Sequence, residues 1–102
     1  MQILKVSARS SPNAVAGAIA GILRESKTVC VQVIGAAALN QAVKAIAIAR
    51  SFVRDDKIEV VCVPTFHTLE VGGEERTAIR LQVEDRGSPT AVTLDDTIPA
   101  DA

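Results

Sequence analysis

Thr28-Val-Cys-Val-Gln-Val-Ile34, then Gly35 and the run Ala36-Ala-Ala-Leu-Asn-Gln-Ala-Val-Lys-Ala-Ile-Ala-Ile-Ala-Arg-Ser-Phe-Val53, decide how this chain folds. The first stretch is β-branched, of strand length, and apolar on both faces except at Gln32, the pattern of a central strand. Gly35 punctuates it as a strand-to-helix turn. The second stretch has helical period. Ala38, Leu39, Ala42, Ala45, Ile46, Ala49, Phe52 and Val53 share the predicted buried side. Asn40, Lys44, Ala47, Ser51 and Arg54 line the opposite stripe, flanked by Gln41 and Arg50. Val43 and Ile48 fall on the shoulders, where a monomer leaves them partly wet.

Towards the N-terminus, Ile3 to Ala8 reads as a short strand closed by Arg9-Ser10-Ser11. Ser11 is a good N-cap, and Pro12 suits the first helical position because its missing N–H is not needed there. A helix to about Glu25 follows, with Val15, Ile19, Ile22 and Leu23 as its core stripe. Gly17 and Gly21 each cost up to about 1 kcal/mol relative to Ala in a helix. Their spacing implies close packing, either on the domain's own sheet or on a dimer seam.

Towards the C-terminus, Arg54-Asp55-Asp56-Lys57 is a turn and Ile58 to Val71 a long strand. Gly72-Gly73 is a two-residue hairpin loop, and Glu74 to Glu84 the return. That register puts Cys62, Pro64 and Phe66 on one apolar face with Val83, Leu81 and Ile79. Arg76, Arg80, Gln82 and Glu84 share the other face with His67 and Leu69. Glu70 then opposes Glu75, an unfavourable pair that a wider loop would relieve. Pro64 places its strand at a sheet edge. From Gly87 the chain turns acidic and aperiodic, with Pro89 and Pro99, and residues 87–102 read as a disordered acidic tail after a single domain of residues 1–86.

The order β-α-β-α-β-β defines an α/β chain of the α+β two-layer sandwich type. Right-handed crossovers in one direction put both helices on one face of a mixed four-stranded sheet of order 1-2-4-3. The helix-free face carries Lys5, Gln32, Arg80 and Gln82.

Composition bounds the function. The chain's 102 residues, 48% hydrophobic, suffice for one core. With two Phe and neither Tyr nor Trp, it lacks the aromatic platform on which single-strand binders stack bases. The net charge of −1 divides into +6 over residues 1–54 and −7 over residues 55–102. Such a split fits an anion-binding surface beside an acidic segment, or two solvated faces. No apolar run reaches the ~20 residues of a membrane span, no signal peptide is visible, and a cytoplasmic location is expected. Cys30 and Cys62, without metal spacing, are expected to be buried, reduced thiols.

Three stretches carry a family likeness: Leu4-Lys-Val-Ser-Ala-Arg-Ser-Ser-Pro-Asn-Ala-Val-Ala-Gly-Ala-Ile-Ala-Gly21, Ile34-Gly-Ala-Ala-Ala-Leu-Asn-Gln-Ala-Val-Lys-Ala-Ile-Ala-Ile-Ala-Arg50 and Gly73-Glu-Glu-Arg-Thr-Ala-Ile-Arg80. Together the chain resembles the stage V sporulation protein S family over about residues 2–86. The resemblance implies an Alba-like fold, a homodimer or higher oligomer, and DNA or RNA as partner. It implies contacts through basic residues after the first strand, on the second helix and on the hairpin arm. Here these are Lys5, Arg9, Asn13, Asn40 and Lys44, with Arg50, Arg54, Arg76 and Arg80 behind them. Cations and N–H donors on a rigid frame are what phosphates need, and Arg9-Ser10-Ser11 leads into a helix N-terminus, a ready anion site. The acidic hairpin tip of Glu70, Glu74 and Glu75 argues against the tip itself entering a groove.

Catalysis finds little support. His67 is the only histidine and lies in an edge-strand segment, no Ser has an identifiable base, and no carboxylates have metal spacing. No cofactor, metal or small-molecule substrate is implied. An oligomerising adaptor that binds protein through the Ala-rich helix and the edge strand is the alternative reading.

Overall fold

The computed structural model describes residues 2–87 and Ala100. Its elements are β1 (Ile3–Val6), α1 (Pro12–Ser26), β2 (Thr28–Val33), α2 (Ala36–Phe52), β3 (Val60–Val71) and β4 (Glu74–Asp85), with a single 3-10 turn at Arg54–Asp56. The sheet order is β1-β2-β4-β3, with β1 parallel to β2 and β4 antiparallel to both neighbours. Fold class and strand order are as the sequence leads one to expect. The tail over residues 88–99, 101 and 102 lies outside the described residues.

Local chemistry sets the element boundaries. Ser11 caps α1 by accepting the Ala14 N–H at 3.4 Å, with Pro12 in the first turn. Lys27 ends α1 in a left-handed conformation, φ 65°, and its N–H bonds back to the Leu23 carbonyl. Gly35, at φ 91°, takes the chain from β2 into α2 through backbone that an L side chain rarely adopts. The β3–β4 hairpin turns on Gly72 and Gly73, both at positive φ. Val71 pairs with Glu74, and Glu70 does oppose Glu75. The tight loop therefore prevails over the unfavourable pair, because at the exposed tip water screens the two carboxylates.

The core lies between one face of the sheet and the two helices. Ile19, Leu23, Val29, Val31, Val53 and Val83 are its largest fully buried side chains, each contributing about 1.5–3 kcal/mol by leaving water. From α2 the core receives Ala38, Ala42, Ala45 and Ala49, small residues that let the helices and sheet approach closely.

Several expectations are corrected. Phe52 is 45% exposed because α2 ends there and the chain turns away, leaving Val53 to enter the core. Cys30 is buried, but Cys62 is exposed. The core shared with the helices takes residues from β1, β2 and β4 but only Val60 from β3, so Pro64 and Phe66 are bare as well. Gly17 and Gly21 are exposed, and a Cβ added at either meets nothing within 4 Å. They do not serve close packing on the sheet.

Candidate nucleic-acid interface

The loop after β1 is built from its own serines. The Ser7 N–H donates to Ser10 Oγ at 2.9 Å, the Ser10 N–H to the Ser7 carbonyl at 3.1 Å and the Arg9 N–H to Ser7 Oγ at 3.2 Å. This knot holds Arg9 exposed just ahead of α1. Gln41 of α2 then donates its side-chain amide to the Ser10 carbonyl at 3.1 Å, tying the loop to the second helix. Because α1 and α2 each follow a strand of the parallel β1–β2 pair and run back across it, their N-termini lie at the same end of the sheet. Arg9, Asn13, Asn40 and Lys44 are all exposed here, with Asn40 and Lys44 one turn apart on α2.

A second cationic group lies on the helix-free face. Lys5, Gln32, Arg80 and Thr65 form one cross-strand row. Arg80 Nε donates to Gln32 Oε1 at 2.9 Å, which satisfies the buried amide and fixes the guanidinium against the sheet. In the neighbouring row the Gln82 amide donates to Thr28 Oγ1. Further out on the arm, on this same face, His67 lies opposite Ala78 and Arg76 opposite Leu69. Arg76 and Arg80 therefore lie on the same face as Lys5, apart from the Arg9–Lys44 group.

Arg50 and Arg54 are elsewhere again, at the C-terminal end of α2. Arg50 is engaged, with Nη2 at 2.8 Å and Nε at 3.0 Å from Glu59 Oε1. Arg54 opens the 3-10 turn and is exposed. Nearby, Arg24 pairs with Asp56 at 2.9 Å and Lys27 with Asp85 at 3.6 Å. Asp85 accepts the N–H groups of Gly87 at 2.9 Å and Glu59 at 3.1 Å. Those bonds, the one from Gly87 first, hold its carboxyl below its ordinary value, with Lys27 adding to the effect. None of these three ion pairs uses Lys5, Arg9, Lys44, Arg76 or Arg80.

The supporting roles of Ser7 and Gln41 escape the sequence reading. The Ser7-x-x-Ser10 spacing at a strand end was a usable signal for the first. For Gln41 there was none, since its partner lies 31 residues away. Among the described residues no group of His, Cys, Asp or Glu could hold a metal ion, and no helix is long and apolar enough to cross a membrane.

The fold defined by these elements is also that of a solved structure, Alba from Thermoplasma volcanium. The two share 16% identity and a TM-score of 0.55, over 81% of this chain and 99% of that one. At that identity the likeness establishes an Alba-like fold. In sequence, residues 2–86 match the family described as Stage V sporulation protein S, and the chain belongs to that family. Membership brings with it a sporulation-related role.

Proposed function

We infer that the protein is a cytoplasmic, non-enzymatic regulator in sporulation or development that binds DNA or RNA as a homo-oligomer, through phosphate contacts of low sequence preference. The observation that carries this reading is the separation of its charges. Where the helices end, Arg24 and Arg50 are held by neighbouring carboxylates. Arg9 instead stands exposed just ahead of the N-terminus of α1, and Lys44 is exposed midway along α2, one turn beyond Asn40, at the end of the sheet where both helices begin to cross it. Arg9, Asn13, Asn40 and Lys44 make the first contact surface; Lys5, Arg76 and Arg80 extend it over the open face; Arg50 and Arg54 contribute least. Among the described residues no recognition helix with several base-reading side chains is apparent, so affinity should follow the backbone.

Fluorescence anisotropy with duplex DNA, single-stranded DNA and RNA at two salt concentrations tests this. Binding should weaken steeply with salt, as counterion release requires. No binding at low salt would favour the second reading, an oligomerising protein adaptor. That reading has its own observation: an acidic arm tip of Glu70, Glu74 and Glu75 beyond a Phe66 that is 82% exposed.

A further inference from the structure

Among the described residues Gln32 is the only polar side chain that is buried, at 6% exposure, and it lies on the helix-free face of the sheet. Burying an amide costs free energy unless its polar atoms are partnered. Arg80 Nε donates to its Oε1 at 2.9 Å. Its Nε2 has no partner among the described residues. None of their side-chain nitrogen or oxygen atoms is both sealed from water and unpartnered, so Nε2 opens onto the surface.

This amide has a cation on each side, Lys5 as its cross-strand partner in β1 and Arg80 in β4. Strands lie about 4.8 Å apart, so the two cations start about 10 Å from each other, a span that both long side chains can close over one small anion. Lys5 is exposed and belongs to none of the ion pairs among the described residues. The bond from Nε to Gln32 fixes the plane of the Arg80 guanidinium and leaves its two Nη groups as a held fork. The flanking rows carry neither acid nor further Lys or Arg: Ile3, Cys30, Gln82 and Val63 on one side, Ala78 and His67 on the other. Arg76, the next Arg along this face, is four residues up β4 from Arg80, about 13 Å away.

We propose that Lys5, Gln32 and Arg80 form a binding site on the helix-free face for one phosphate monoester. Ammonium, guanidinium and amide N–H groups are all donors and present no acceptor, which selects a deprotonated oxyanion. Two full charges on so short a span, with no Lys or Arg in the flanking rows, match a single group that carries close to two negative charges. A nucleic-acid backbone offers one charge per phosphate and needs a continued track of cations, which this face does not supply between Arg80 and Arg76. Gln32 both orients Arg80 and donates to the ligand, which accounts for a buried amide in a strand whose other buried residues are apolar. The inference goes beyond the reading above, where Lys5 and Arg80 only extend a surface for the backbone, and it does not rest on that reading.

The test is a titration of the isotopically labelled full chain with methyl phosphate, followed by nuclear magnetic resonance at about pH 8, where the monoester is a dianion. Dimethyl phosphate is the singly charged control, at matched ionic strength. The Gln32 side-chain amide and Arg80 Nε–H signals should shift and saturate in the range of about 1 mM, and dimethyl phosphate should bind at least about tenfold more weakly. Lys5→Ala changes an exposed side chain, so the fold persists, and should weaken binding about tenfold. Arg80→Lys keeps the charge but loses the fork held by Gln32, and should weaken it about fivefold. Lys57→Gln, an exposed cation outside this face, should bind as wild type does. Two oligonucleotides of one sequence, ending in a phosphate or in a hydroxyl, separate the sources. Tighter binding of the phosphorylated end, lost in Lys5→Ala, assigns the site to a nucleic-acid terminus; equal binding of the two, with methyl phosphate still bound, assigns it to a small phosphorylated molecule. No saturable shift, an equal response to dimethyl phosphate, full binding by Lys5→Ala or Arg80→Lys, or equal loss in Lys57→Gln would each overturn the proposal. Failure of the chain to bind a nucleic-acid backbone would leave the methyl phosphate titration unchanged.

Discussion

The two ends of the sandwich treat the same kind of residue in opposite ways. Where α1 and α2 finish, Arg24, Lys27 and Arg50 each meet a carboxylate: Asp56, Asp85 and Glu59. Where the helices begin, Arg9 is held out by a knot of serine hydrogen bonds, and farther along α2, midway down the helix, Lys44 is exposed. Helix dipoles sharpen the contrast. Basic groups at a C-terminus are stabilising for the fold, whereas basic groups beside an N-terminus oppose the dipole and gain only when an anion arrives. Arg24, Lys27 and Arg50 at the first end are already paired, and the cations at the second are available to a ligand.

Breaking the second end should give the largest effect. Replacing Arg9 and Lys44 together by Ala should lower affinity for nucleic acid by roughly tenfold per lost phosphate contact near 0.1 M salt, for all sequences alike. The slope of log affinity against log salt should shrink by about one unit for each. The paired change Arg50→Ala and Arg54→Ala at the first end should leave that slope nearly intact, and lose about 1 kcal/mol of stability or less. If the two double variants behave alike in the titration, the division between the ends fails.

Asp85 sharpens the structural end. Its folded pKa lies below the ordinary 3.8, so the ionised form is favoured by folding. The resulting stability is complete above that ordinary value and is lost as pH falls through the lower folded one. Asp85→Asn keeps an acceptor and removes the charge. Its melting temperature should fall below wild type by a constant amount from neutral pH to about pH 5, and the gap should close below about pH 4. A gap independent of pH would assign the effect to packing.

The smallest effect concerns α1 between the two ends. Gly21→Ala should stabilise the protein, by up to about 1 kcal/mol, because the added methyl enters open space and the helix no longer carries the glycine's backbone entropy. Denaturant unfolding measures it. A loss of stability would mean that some surface approaches this face closely in solution.

Much of this architecture was legible in sequence because its signals are local. Ser11 and Pro12 begin a helix wherever they precede a helical apolar period. The Gly72-Gly73 loop fixes the hairpin register by itself, down to Glu70 against Glu75. The run Thr28–Val33, apolar on both faces except at Gln32, marks a strand with neighbours on both sides, and β1 and β4 are those neighbours. The cations near the helix starts could be named from the chain, along with Arg76 and Arg80 on the hairpin.

How far a layer extends is a different kind of property. Cys62, Pro64 and Phe66 have the same apolar alternation as Val29, Val31 and Val33, yet one set is bare and the other buried, because two helices cannot span four strands. Whether an arginine is free or spent depends on which carboxylate the turns bring beside it. Glu59 reaches Arg50 only through the turn after α2, and Asp56 reaches Arg24 across 32 residues. The sequence by itself determined the elements, their order and the hairpin register, since these follow from capping, periodicity and turn geometry over a few residues. Tertiary structure alone decided which apolar residues stay in water and which charges are already paired, since both depend on surfaces brought together from distant parts of the chain.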